Sequence, residues 1–147
     1  MYKRILVPLE NTGTDEAIVQ HVCALARHCS ASIVLIHVAD GFAARNLAQL
    51  KLRESEEIKE DRDYLDTMAA RLAVQGFKVE AVLASGDPAT EISAAAEREQ
   101  CDLIAMGTHG HRWLKDLIYG SVASEVRHKS FVPVLLVRQR PSSAGGA

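Results

Sequence analysis

The residues of this chain whose types and spacing point to chemistry lie near the C-terminus: Gly107-Thr108-His109-Gly110, then, after nine residues, Gly120-Ser121-Val122. The apolar run Leu103-Ile104-Ala105-Met106 comes just before them, and Ala123-Ser124-Glu125-Val126 follows. That order predicts a buried strand, a glycine loop and the start of a helix. Backbone N–H groups left unpaired at such a junction, together with the positive end of the helix dipole, form a receptor for phosphate. Glycine lets the backbone approach an anion because no Cβ stands in the way. The Ser121 hydroxyl is a further donor. Arg112, between the glycines, can reach a terminal phosphate through charge-assisted bonds, or simply be a solvated cation. From the residues alone, a strand–turn–helix connection without a ligand accounts for the glycines about as well as a phosphate site does.

Other reactive side chains give weaker signals. His109 and His111 are spaced as metal ligands can be, but no carboxylate or third ligand has supporting spacing. A loop histidine that satisfies backbone groups or touches phosphate fits as well. Trp113 reads as an apolar plug over the loop or as part of a partner surface, and the stretch from His111 to Tyr119 as a lid or short helix. His37 reads as a core histidine at a strand end, and Glu10 as an acid near a helix start. Cys23, Cys29 and Cys101 show no CxxC spacing and read as free thiols. No Ser–His–acid or Cys–His arrangement stands out, and GxxxxGK[ST] is absent, which disfavours a fast P-loop ATPase.

The elements that must hold this loop follow from hydrophobic pattern. The chain has 147 residues, 48% hydrophobic and 24% charged, which suits one domain of an ordinary globular protein. A formal net charge of -2 gives no basic excess for nucleic acid. No apolar run is long enough to predict a membrane span, and the first one stops at Pro8, too early for a secretory signal, so a cytoplasmic protein is expected.

Strands are expected at Tyr2 to Leu9, Ile33 to Val38, Phe77 to Ala84, Leu103 to Met106 and Val132 to Val137. The alternation of Phe77 to Ala84 marks a strand nearer an edge, and Pro133 in the fifth run marks an edge or a strand start. Helices are expected from Thr14 to Cys29, capped by Thr12 or Thr14, from Asn46 to Val74 with a glycine cap at Gly76, from Ala89 to Glu99, and from Gly120 or Ser121 to Lys129. Five strand–helix alternations imply a Rossmann-like α/β fold, an open parallel sheet with helices on both faces. Ligands of such sheets lie beyond the carboxyl ends of the strands, where strand order reverses. Residues 1–140 are expected to form one domain, and 141–147 a disordered tail.

The complete Gly-x2-Gly-x9-Gly-Ser pattern makes the chain resemble the universal stress protein family, in its nucleotide-binding branch, over nearly its whole length. The opening Lys3-Arg4-Ile5-Leu6-Val7-Pro8, the His37-Val38 strand end, the Gly86-Asp87-Pro88 turn and Val132-Pro133-Val134-Leu135-Leu136-Val137 support the likeness. The resemblance implies strand order 3-2-1-4-5 and a site for ATP or AMP, with or without Mg2+. Carried over by position, Gly107, Gly110, Gly120, Ser121 and Val122 hold phosphates and ribose, with His109 and Arg112 beside them. Met106 lies against the ribose, and Val38 meets the adenine edge through its backbone. Pro8, Leu9 and Glu10 close the site.

Two positions depart from the family pattern. Glu10 stands where an aspartate is usual and reaches one methylene further, and Leu9 replaces a small or hydroxylated residue. The implied function is that of a regulatory stress-response module, not an enzyme, with at most slow hydrolysis. The alternative is an interaction module in which nucleotide is structural or absent, and a genuine ATPase is the third reading. The resemblance also implies a homodimer paired through the fifth strand, Val132 to Val137, and a protein partner the sequence does not name. No nucleic-acid or membrane partner is expected.

Overall fold

The computed structural model describes residues 1–40, 50–107 and 117–138. The elements are β1 (Arg4–Pro8), α1 (Asp15–Cys29), β2 (Ser32–Asp40), α2 (Leu50–Val74), β3 (Val79–Gly86), α3 (Pro88–Arg98), β4 (Leu103–Gly107), α4 (Leu117–Lys129) and β5 (Val134–Val137). The five strands form one parallel sheet in the order β3-β2-β1-β4-β5. This is the Rossmann-like topology that the alternation and the resemblance imply.

The sheet's apolar content explains its position. Ile5, Leu6 and Val7 of β1 and Ile33 to Ile36 of β2 have no exposed surface, because helices cover both faces of the sheet. Side chains alternate between two cores, as a period of two demands. Ile5, Val7, Ile33 and Leu35 pack with Ile18, Val22, Leu65 and Leu72 of α1 and α2. Leu6, Val34, Ile36 and Ile104 pack with Ile92, Ala95 and Ala96 of α3 and Val126 of α4. At the amino ends of the strands, Asp102 accepts from the N–H groups of Lys3 and Arg4, and the Arg4 guanidinium reaches Glu80, Glu99 and the Glu99 carbonyl. That pole of the sheet satisfies its own charges.

Several boundaries differ from expectation for identifiable reasons. β5 starts at Val134, after Pro133, whose ring nitrogen has no hydrogen to give; the Pro133 carbonyl still accepts from Ile104 at 2.9 Å. β2 runs past His37-Val38 to Asp40, and β3 runs to Gly86, because the two strands keep pairing to Asp40↔Gly86. α4 already includes Leu117, so Gly120 and Ser121 lie within the helix instead of opening it. Thr14 is the N-cap residue of α1 but makes no side-chain cap bond. Asp87 does cap α3: its carboxylate accepts from the Thr90 N–H at 3.0 Å and the Thr90 hydroxyl at 2.7 Å, with Pro88 opening the helix. These bonds, helped by Lys129, hold the Asp87 carboxyl below its ordinary value. The tail from 141 to 147 lies outside the described residues.

Three helices end in one motif. Phe77 N–H donates to Leu72 O and Gly76 N–H to Ala73 O, with Gly76 at φ 99. Ala31 donates to Ala26 O over Ser30 at φ 57, and Cys101 to Ala96 O over Gln100 at φ 55. Only the first of these left-handed positions carries glycine. Gly76→Ala is expected to cost about 1 kcal/mol through φ alone, since open space surrounds that position. Ser30→Gly and Gln100→Gly should leave stability unchanged or higher. Urea midpoints check this, and a Gly76→Ala protein as stable as the parent would contradict it.

Candidate functional site

The sheet's switch point is between β1 and β4. The two are hydrogen-bonded neighbours, Ile5 opposite Leu103 and Leu6 opposite Ile104. From β1 the chain proceeds to β2 on one side, while β4 leads to β5 on the other. The loops after β1 and β4 therefore diverge and leave a crevice at the carboxyl ends. Pro8 and Glu10 line it from one side, Met106 and Gly107 from the other, and Thr14 and Ile18 from α1. Four residues singled out in the sequence thus share one cleft: Pro8, Glu10, Met106 and Gly107. Gly107 has room to spare, since an added Cβ would meet only Val137 O at 4.0 Å, and its φ is not in the left-handed region. Among the described residues, neither packing nor backbone conformation requires a glycine there.

The β1 loop is held by a group that the sequence shows only as an acid in the first turn of α1. Asp15 is 3% exposed. Its carboxylate accepts from the N–H of Glu10 at 3.0 Å, of Asn11 at 2.8 Å and, at longer range, of Thr12 at 3.3 Å. The Tyr64 hydroxyl of α2 donates to it at 2.6 Å. Asn11 takes φ 63, a conformation asparagine tolerates better than most residues. Burial, and then the bond to Asp15, push the Tyr64 phenol well above its ordinary value.

A second contact ties the same loop to β2 and α2. His37 Nδ1 lies 2.8 Å from Leu9 O, and His37 Nε2 lies 3.2 Å from Asp61 Oδ2. Asn11 Nδ2 reaches Asp61 Oδ1 at 3.5 Å. Leu9 is not on the crevice surface. Its side chain is in the core, 3% exposed, its N–H donates to Ile36 O and its carbonyl faces His37, so it shapes the wall from behind. Val38 is half-buried on β2, opposite Ala84. Val122 is half-buried on α4, against the core beneath α3. His109, Gly110 and Arg112 lie outside the described residues, as do His111 and Trp113. The sequence does not point to Asp15, Tyr64 and Asp61 as site residues: they come from two helices, α1 and α2, and no local spacing links the α2 pair to the loop.

An open parallel sheet with its cleft at the switch point defines a class of α/β proteins that receive ligands beyond the strand ends. Residues 1–138 match the universal stress protein family, and the chain belongs to that family. It is 33% identical to universal stress protein MJ0577 of Methanocaldococcus jannaschii, over 97% of this chain and 98% of that protein. The solved structure of MJ0577 superposes with a TM-score of 0.86, covering 97% of this chain and 99% of that one. Two more distant structures share the fold. One is a universal stress protein in complex with cAMP, 19% identical with a TM-score of 0.69 over 92% of this chain and 97% of that one. The other is the Archaeoglobus fulgidus protein in complex with dAMP, 20% identical with a TM-score of 0.68 at the same coverages. No described helix is long and apolar enough to cross a membrane.

The Tyr64–Asp15 bond has a consequence at alkaline pH. A phenol whose folded value lies above its unfolded one contributes stability that is complete below about pH 10 and is lost as pH rises through the folded value. Stability should therefore fall above about pH 10, and Tyr64→Phe should flatten that fall. Urea titrations from pH 8 to 11 on both proteins test it; parallel profiles would remove Tyr64 as the source.

Proposed function

We propose that this chain binds an adenine nucleotide, ATP or AMP, in the crevice between β1 and β4. It would act in the cytoplasm as a regulatory module of the stress response, with little or slow hydrolysis. The observation that carries this reading is Gly107. It lines the switch-point crevice, the described residues around it do not demand glycine, and it opens the Gly-x2-Gly-x9-Gly-Ser pattern. A backbone kept bare without a packing reason suits the close approach of a ligand. The cAMP and dAMP complexes of proteins with this fold support the ligand class.

In this reading Gly107, His109, Gly110, Arg112, Gly120, Ser121 and Val122 form the phosphate and ribose wall, and the first turn of α4 favours the negative charge. Met106 lies under the ribose, Val38 meets the adenine edge through its backbone, and Pro8 and Glu10 form the opposite wall. The Glu10 carboxylate suits ribose hydroxyls, or an Mg2+ carried in with the phosphates.

Denaturing freshly purified protein and identifying released nucleotide by mass spectrometry tests the ligand directly; stoichiometric ATP or AMP is expected. Gly120→Val should lower nucleotide affinity at least tenfold by calorimetry, about 1.4 kcal/mol or more, with unchanged circular dichroism. Undiminished affinity would take the α4 turn out of the site.

We also propose a homodimer paired through β5. That strand is an edge of the sheet, Leu136 on it is 41% exposed, and Phe131 just before it is fully exposed. Sedimentation should give a dimer, and Phe131→Glu with Leu136→Glu a monomer. A parent protein that sediments as a monomer at micromolar concentrations would end this proposal.

A further inference from the structure

Asp15 is a charged group at the crevice for which the nucleotide reading has no use. A carboxylate this deeply buried is costly unless its lone pairs are satisfied. Here they are satisfied by three consecutive backbone N–H groups, those of Glu10, Asn11 and Thr12, and by the Tyr64 hydroxyl. Successive N–H groups that converge on one point make an anion-binding concavity, and the left-handed turn at Asn11 helps to form it. In this chain the concavity behind the β1 loop is filled by the protein's own carboxylate. Tyr64 secures that carboxylate from the far side. Asp61, one turn earlier on the same helix, contacts Asn11 and His37. The loop is therefore built around an internal anion and clamped from α2.

Two things follow for the crevice. Three successive N–H donors of the β1 loop are already taken, and a negative charge stands behind them, so this wall repels phosphate instead of receiving it. The same three bonds fix the backbone at Glu10, and hence the point from which its side chain enters the crevice. We infer that Asp15 is a positioning residue of the site: its carboxylate fills the β1 loop's anion nest, sets Glu10 at the crevice wall and directs a ligand's phosphates to the β4–α4 side. The part of this that concerns ligand affinity rests on the nucleotide reading; the filled nest does not.

The test uses Asp15→Ala and formate, a free carboxylate of the deleted size. Without nucleotide, Asp15→Ala should melt lower than the parent and regain most of the loss in tens of millimolar formate, while the parent gains nothing. In nitrogen–proton spectra, the amide signals of Glu10, Asn11 and Thr12 should shift saturably with formate in the variant only. Inorganic phosphate should leave them unmoved in the parent. Nucleotide affinity should drop at least tenfold in Asp15→Ala and recover with formate.

A folded variant whose three amides ignore formate would overturn the inference, as would parent amides that titrate with phosphate. Formate rescue of stability in a protein that binds no nucleotide would instead sink the nucleotide reading and leave the nest standing. If Asp15→Ala does not fold, Tyr64→Phe takes its place. It removes one donor from the carboxylate and should weaken nucleotide binding several-fold, with a smaller loss of melting temperature than Asp15→Ala and an unchanged circular dichroism spectrum. Unaltered affinity in Tyr64→Phe, when the parent binds nucleotide, would overturn the positioning role.

Discussion

Everything in this fold is arranged around a strand whose middle has no contact with water. Ile5, Leu6 and Val7 are wholly buried between two helical layers, so β1 carries no polar side chain until the strand ends. A functional group cannot be placed in the middle of such a sheet without an unpaired buried charge. Polar chemistry is displaced to the strand ends. At the amino ends, Arg4, Glu80, Glu99 and Asp102 satisfy one another and the first N–H groups of β1. At the carboxyl ends the loops part at β1 and β4, and there the chain leaves space.

Leaving that space creates a problem for the backbone. Directly after Pro8 the chain must turn away from the sheet while still half-covered by α1 and α2, and the N–H groups of the turn face inward. The protein itself pairs three of them. Asp15 does so from the first turn of α1, and His37 meets the Leu9 carbonyl from β2. The sequence expectation placed a threonine cap at this point. Thr12 and Thr14 instead bring their hydroxyls together at 2.6 Å, while the acid one residue later does the work of a cap in reverse. It reaches back into the loop instead of forward into the helix.

The contrast shows which parts of the structure are written locally. Continuous apolar runs, the Gly86-Asp87-Pro88 turn and the Gly76 stop depend on neighbours within a few residues, and they are legible in the sequence. So is the crevice, because strand order and the glycine pattern place Gly107 and Glu10 together without side-chain detail. The left-handed positions at Ser30 and Gln100 were not legible, since serine and glutamine carry no signal for positive φ and the motif is imposed by where the next strand must begin. Tyr64 and Asp61 were hidden for a different reason. In sequence they sit among many charged residues, and only the packing of α2 over β2 turns these two polar residues inward.

That inward turn bears on how such a module can respond to what it binds. Asp61 and Tyr64 are three apart on α2, so they project from one face of the helix and move together. Between them they hold both ends of the β1 loop: Tyr64 through Asp15, Asp61 through His37 and Asn11. A ligand that shifts Glu10 would have to strain these bonds or move the helix, because a packed core transmits displacement instead of absorbing it. The reverse holds with equal force, since linkage between two sites is reciprocal. A partner that displaced α2 would loosen the loop and alter the crevice. The fold therefore carries a short mechanical connection from the crevice wall to an outer helix, made of Asp15, His37, Asp61 and Tyr64.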